Sequence, residues 1–356
     1  MNESMEAWGW NPFFDAQTTG ERTLPGRLAR IVAEHRTLYE IAGAEGAAKA
    51  ELSGRLKAEA EYDVHVRPVV GDWVELSLVP GGGHARIERV FERRGVFVRR
   101  APAARGGVQP IVANVDVAIL ATSLNQEFNP RRLERYLALA AESGADPVVA
   151  LTKADLHPDP EHAAAEVERA CGVCAVALSA VSGSGLDALA AWLTPGATAV
   201  LLGSSGVGKS TLVNRLLGSA AAEVRSIGND DKGRHTTTAR QMHRLPGGAL
   251  LIDTPGMREL GLAEGGGIGD AFQDVEALAL QCRFRDCRHQ AEPGCAVRAA
   301  LEGGQLELGR WSNFEKLRRE TAFQERQADP QLALNVKRRW KQIHKAQKLR
   351  RKLDDS

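Results

Sequence analysis

Residues 203–210 read Gly203-Ser204-Ser205-Gly206-Val207-Gly208-Lys209-Ser210. Ahead of them, Ala199-Val200-Leu201-Leu202 is a short apolar run with the composition of a buried strand. Behind them, Thr211-Leu212-Val213-Asn214-Arg215-Leu216-Leu217 carries apolar residues at helical spacing. Strand, glycine-rich turn and helix form the setting that a phosphate-binding loop requires. The glycines let successive N–H groups turn inward, and the helix N-terminus adds a partial positive charge. In such a loop Lys209 reaches the β- and γ-phosphates and the Ser210 hydroxyl ligates Mg²⁺.

Outward from this loop, strands alternate with helices. Val115–Leu120, Pro147–Leu151, Ala175–Leu178, Ala199–Leu202, Gln241–Leu245 and Leu250–Ile252 are expected strands. Arg131–Glu142, Pro160–Cys171 and Leu186–Leu193 are expected helices. The alternation implies a mostly parallel, doubly wound sheet with its ligand at the strand C-terminal ends. Four motifs fall at those ends. Asp253-Thr254-Pro255-Gly256 offers a carboxylate for Mg²⁺ and a Gly256 N–H for the γ-phosphate. Thr236-Thr237-Thr238 lies between loop and strand, where a switch threonine, Thr237, completes a metal shell. Thr152-Lys153-Ala154-Asp155 offers a carboxylate that accepts from the N1–H and amine of guanine. Ser179-Ala180 offers an N–H to guanine O6. The base-reading motifs precede the phosphate loop, the reverse of the order in ordinary small GTPases, so the domain reads as a circularly permuted GTPase. Termini that lie together at the surface make such a permutation tolerable.

The flanks read differently. Residues 1–22 are polar with scattered aromatics, a loose arm or short docking segment. Over 23–104, short alternating runs (Leu28–Val32, Leu38–Ile41, Trp73–Leu76, Val96–Val98) with Gly-rich or charged turns indicate a small β-barrel. Its arginines suit an oligonucleotide-binding barrel, and an SH3-like barrel with a solvated basic face fits the same pattern. Ala103–Val112 reads as a linker into the central domain, 105–265. In the last segment, 266–356, Cys282, Cys287, His289 and Cys295 provide three sulfurs and an imidazole at spacings that suit one closed, structural zinc site. Cys171 and Cys174 lack a second pair and read as core thiols. The region closes on the cationic stretch Lys337–Lys352, suited to a phosphate backbone. Overall the 356 residues carry a net charge of +1, so the basic end is offset elsewhere. No run reaches the ~18 apolar residues of a membrane span, the first residues lack the pattern of a secretory leader, and the odd cysteine count argues against a disulfide framework. A cytoplasmic protein is expected.

Assembled, these parts resemble the ribosome small subunit-dependent GTPase A family. The resemblance rests on the barrel, Thr152–Asp155, Gly203–Ser210, Gly233-Arg234-His235-Thr236-Thr237, Asp253–Gly256 and the Cys282/Cys287/His289/Cys295 cluster. It implies an oligonucleotide-binding (OB) fold, a circularly permuted P-loop GTPase and an α-rich zinc domain. It also implies late maturation of the small ribosomal subunit as the task, with subunit-stimulated GTP hydrolysis as the switch and rRNA as partner. GTP is then expected on Thr152, Lys153, Ala154, Asp155, Ser179, Ala180, Gly203, Ser204, Ser205, Gly206, Val207, Gly208, Lys209, Ser210, Thr211 and Gly256. Mg²⁺ falls to Ser210, Thr237 and Asp253, and a monomer is expected. Met257 stands where many GTPases have a water-orienting Gln, which leaves His235, with Lys209, as the catalytic candidates. Thr152 departs from the more usual Asn, so a contact to the phosphate loop is either lost or taken over by a hydroxyl. The competing reading is an RNA-binding P-loop ATPase or NTPase module whose nucleotide is structural.

Overall fold

The computed structural model describes residues 5–18, 27–35, 37–79, 83–100, 108–124, 130–204, 206–218, 240–253 and 271–328. The chain divides into two compact units, Met1–Arg99 with Gln109–Gly261, and Arg100–Val108 with Leu262–Ser356.

The first unit begins with a 3₁₀ turn, Met5–Trp8, and a short helix α1 (Pro12–Asp15), capped by the Asn11 side chain. These residues are docked. Phe14 is buried with Leu28, Trp73 and Phe91, and Met5, Trp8 and Trp10 pack around them. Trp10 meets Trp73 edge-on at 4.7 Å and Phe91 at 5.6 Å. The sequence alone leaves the arm between loose and docking because its aromatics have no periodicity; their partners lie some sixty residues onward.

Five strands come next: β1 (Leu28–Glu34), β2 (Tyr39–Gly43), β3 (Gly46–Leu52), β4 (Trp73–Ser77) and β5 (Ala85–Val90). A helix, α2 (Gly54–Tyr62), capped by Ser53, sits between β3 and β4. β1 pairs with β2, β2 with β3, β3 in parallel with β5, β5 with β4, and β4 returns to β1. This closed order, with its helix after the third strand, is the OB arrangement and decides against the SH3-like alternative. Beyond the barrel, β6 (Val96–Arg100) pairs with β7 (Val108–Ala113) in a two-stranded sheet. The expected linker is therefore a strand over its second half. Ile111 and Val112 are buried there, and Pro110 is tolerated because a two-stranded ribbon has free edges.

The central sheet is built from β8 (Val117–Ser123), β9 (Asp146–Thr152), β10 (Ala175–Ala177), β11 (Thr198–Gly203), β12 (Gln241–Arg244) and β13 (Leu250–Asp253). Its order is β10-β9-β8-β11-β13-β12, parallel except for β12. Helices α3 (Pro130–Ser143), α4 (Pro160–Cys171), α5 (Leu186–Ala190) and α6 (Lys209–Leu217) connect the strands. Strands β8, β9 and β11 are buried along nearly their whole length, as expected of a sheet covered on both faces. One core cluster joins Ile119, Val148, Ala150, Val176 and Leu201 of the strands to Leu212, Val213 and Leu217 of α6. Cys174 packs at its margin, and burial pushes its thiol up.

Arg30 ties the parts of this unit together. The guanidinium is 1 % exposed and donates to the carbonyls of Gly71 in the barrel, Trp8 in the arm and Asn114 ahead of β8. Desolvation lowers its pKa to about 10, with Asp116 and Asp72 opposing the shift. The arm also touches the β11 approach so closely that a Cβ on Gly196 would lie 2.8 Å from the Glu6 carbonyl.

In the second unit three helices are described, α7 (Gln273–Leu280), α8 (Ala296–Glu302) and α9 (Leu308–Ala328). Phe272, Val275, Val297, Leu306, Trp311, Phe314 and Leu317 are among its buried apolar residues. Arg310 forks onto Asp274, 2.7 Å at each oxygen, while stacking over Phe272. The basic stretch 337–352 lies outside the described residues.

Candidate functional site

The loop after β11 opens on Gly203, whose φ of +154° and position allow no other residue. A Cβ there would lie 2.4 Å from the Ala121 carbonyl of neighbouring β8. Gly208 stands at the N-cap of α6, so no side chain caps the first turn. The amides of a helix start that is left uncapped in this way suit an anion. Lys209 Nζ donates to the carbonyls of Gly203 and Ser204, 2.7 Å each, which holds the ammonium across the loop mouth. Ser210 and Thr211 are exposed on the first turn of α6, and Val207 is buried beneath the loop. Asp253 ends β13, one residue past the Val200–Ile252 pair, and so lies on the strand next to the loop strand. His243, buried on β12, is held below the usual histidine range by desolvation, with the Asp253 charge opposing.

Thr152 ends β9, two strands from β11, and Lys153-Ala154-Asp155 follows it. Lys153 adopts a left-handed conformation, φ +60°, and Ala154 N donates to Leu178 O at 3.1 Å, which fixes the turn against the end of β10. Asp155 is exposed at the start of the 3₁₀ turn Ala154–Leu156. Thr152 is buried, and its Oγ1 lies 2.5 Å from the Val207 carbonyl and 3.2 Å from that of Thr122. With a single proton, the hydroxyl donates to the nearer one, on the phosphate loop. A threonine thus makes the link between base motif and phosphate loop. Ser179-Ala180 opens the next loop, where Ser179 Oγ accepts from Ser182 N at 3.2 Å and Ser179 N donates to Ser184 O. Arg215 of α6 rests on that loop so tightly that a Cβ at Gly183 would lie 2.7 Å from its Nη2. Neither the Thr122 carbonyl nor Arg215 carries any motif, so their parts were invisible in sequence. Ser205, His235, Thr237 and Gly256 lie outside the described residues.

A second site lies in the other unit. One donor atom from each of Cys282, Cys287, His289 and Cys295 falls within 4.8 Å of all the others. Cys282 Sγ and Cys295 Sγ are 3.9 Å apart, and each is 3.5 Å from His289 Nδ1. A tetrahedron with Zn–S of ~2.3 Å and Zn–N of ~2.0 Å has S···S edges of about 3.8 Å and S···N edges of about 3.5 Å. Cys282, His289 and Cys295 therefore have the spacing of three corners of one tetrahedral metal site, and Cys287 lies within 4.8 Å of each as the fourth candidate donor. Burial acts to raise the Cys282 thiol, but the Val297 and Ala296 amides at the start of α8 outweigh it and lower the pKa. Glu292 accepts from the amides of Arg288, Gln290 and Ala291, which holds the knuckle loop, and its own backbone N–H followed by these amides lowers its pKa to about 2. His289 meets Trp311 edge-on at 5.4 Å.

A phosphate-type loop in mid-sheet, reached by the chain after the strand that carries the base-reading motif, defines a circularly permuted P-loop GTPase. The profile of the family described as RsgA GTPase matches residues 90–263. The small ribosomal subunit biogenesis GTPase RsgA of Opitutus terrae is 46% identical over 366 residues, 99% of each chain. Its counterpart in Streptomyces coelicolor is 42% identical, covering 96% of this chain and 93% of its own. Among solved structures, YjeQ from Thermotoga maritima aligns with a TM-score of 0.60 at 26% identity, over 83% of this chain and 98% of that one. YloQ, described as a circularly permuted GTPase, shares the fold with a TM-score of 0.58 at 24% identity, over 86% and 97%. The chain belongs to the RsgA GTPase family.

Proposed function

We propose that this protein hydrolyses GTP on the small ribosomal subunit and uses the reaction to time its departure during late maturation. The observation that carries the reading is the Thr152–Val207 bond. It joins the motif suited to guanine to the loop suited to phosphates, so base recognition and phosphate geometry are set together. In this reading Asp155 selects guanine and the Lys153 stem covers the ring. Ala180 N–H meets O6, and the 203–208 amides with Lys209, Ser210 and Thr211 hold the phosphates. Mg²⁺, when bound to Ser210 and Asp253 with Thr237, neutralises phosphate charge. Lys209 and the loop amides stabilise charge developing on the γ-phosphate, and His235 orients water in place of the side chain that Met257 cannot supply. The OB barrel and the basic stretch 337–352 engage rRNA, and the Cys₃His cluster holds one structural zinc. The protein acts as a cytoplasmic monomer.

Single-turnover phosphate release, with and without small subunits, tests this. Subunits should raise the rate at least tenfold, Lys209→Ala should abolish it, and His235→Ala should lose roughly 10²-fold of the stimulated rate with little change in KM. Co-sedimentation should favour a non-hydrolysable GTP analogue over GDP. Equal release with and without subunits, or equal binding in both nucleotide states, would refute the switch.

A further inference from the structure

The barrel and the central sheet share more than a linker. Strand β1 carries a bulge between Ile31 and Ala33 in its pairing with β2, and past the bulge Ala33 pairs with Gln241 of β12. Bulges bend a strand and re-aim the residues beyond them. Gln241 also pairs, on its other side, with Asp253. One residue thus stands between a barrel strand and the carboxylate assigned above to the metal. Beside this junction Glu34 lies 3.5 Å from Arg240, at the head of β12, and 3.5 Å from Arg67 of the barrel. The two arginines differ in access. The Arg67 side chain is 48% exposed and Arg240 26%, while Glu34 is 19% exposed. Arg67 is also hydrogen-bonded to the Tyr39 hydroxyl.

We propose that Glu34 is a positioning residue shared between Arg67 and Arg240, and that an RNA phosphate taking Arg67 hands the carboxylate to Arg240, which steadies β12 and through Gln241 the attitude of Asp253. The chemistry is a competition between two anions for one guanidinium, which binds phosphate and carboxylate in the same forked geometry. The proposal deepens the reading above and rests on it. Burial outweighs the two arginines and holds the Glu34 carboxyl above its ordinary range. Glu34→Gln keeps the side chain's volume and removes its charge, and a Tm measured beside the rates separates a loss of coupling from a loss of structure.

The test uses the full chain in single-turnover phosphate release, with and without small subunits. Glu34→Gln and Arg240→Gln should each lower the subunit-stimulated rate about tenfold, with KM, the unstimulated rate and Tm unchanged. The double variant should fall no further than either single, and Arg240→Lys should restore most of the rate. Arg67→Gln should raise the unstimulated rate three- to fivefold, and Glu34→Gln should cancel that rise. Stimulated rates at the wild-type level, singles that multiply in the double, or a fall shared by the unstimulated rate would each overturn it. A wild type that subunits do not stimulate would instead defeat the function proposed above.

Discussion

At the level of single residues, Thr152 shows how one hydroxyl can do the work of an amide. Thr152→Val keeps the shape and removes the proton that the Val207 carbonyl receives. The carbonyl stays buried without its donor, at a cost of roughly 1–2 kcal/mol. Affinity for GDP and for a GTP analogue should therefore weaken together, by about 5- to 30-fold, in a fluorescent-nucleotide titration. Asp155→Asn should behave differently, losing guanine-over-adenine preference in competition with ADP; uniform weakening there would remove Asp155 from base recognition. At the knuckle, Cys287→Ser should lower bound zinc from one to none by metal analysis. It should also alter the emission of Trp311, whose ring lies against His289. Sequence spacing was enough to bring Cys282, Cys287, His289 and Cys295 together and to place a strand end, a turn and a helix start around Gly203–Ser210, because short-range geometry does that assembling. The acceptor of the Thr152 hydroxyl was not legible, since Val207 is fifty-five positions away and contributes only a carbonyl.

Among the elements, the arm and the Arg30 junction carry the most testable energetics. Phe14 is 1 % exposed in an aromatic cluster closed by Trp73 and Phe91. Truncation of a buried phenylalanine costs about 3–5 kcal/mol. Phe14→Ala should lower the denaturant midpoint accordingly, and a change below about 0.5 kcal/mol would mean that the arm does not hold its place in solution. Arg30→Met removes the donor from three carbonyls at once and should cost roughly 3 kcal/mol in the same measurement. Elements with β-branched or periodic apolar residues were readable: α4 spans Pro160–Cys171 as expected, and β8, β9, β11, β12 and β13 differ from expectation only at their ends. β3 was not, because Gly46–Leu52 is alanine-rich with one lysine and one glutamate and has neither strong strand propensity nor alternation. The docking of the arm was equally hidden, because an aromatic residue declares that it will be buried but not against which neighbours.

For the molecule as a whole, the division into two units predicts two separable responses. Guanine nucleotide stabilises the state it binds by mass action, about 2.7 kcal/mol at a hundredfold excess over Kd. GDP should raise the unfolding temperature of the unit that holds Gly203–Thr211, whereas a zinc chelator should melt the helices of residues 271–328 and leave the nucleotide-sensitive transition in place. A chelator that abolished GDP binding would contradict this independence. The sheet of the first unit has one more consequence. Eleven strands in a row would ordinarily end in two rows of unsatisfied amides, an invitation to other chains. Here one margin is β10, only three residues long, and at the other the row runs through β1 into a barrel that closes on itself. Barrel closure abolishes an edge and brevity blunts one, so this protein should stay in solution at concentrations where an open sheet of such width would stack into aggregates.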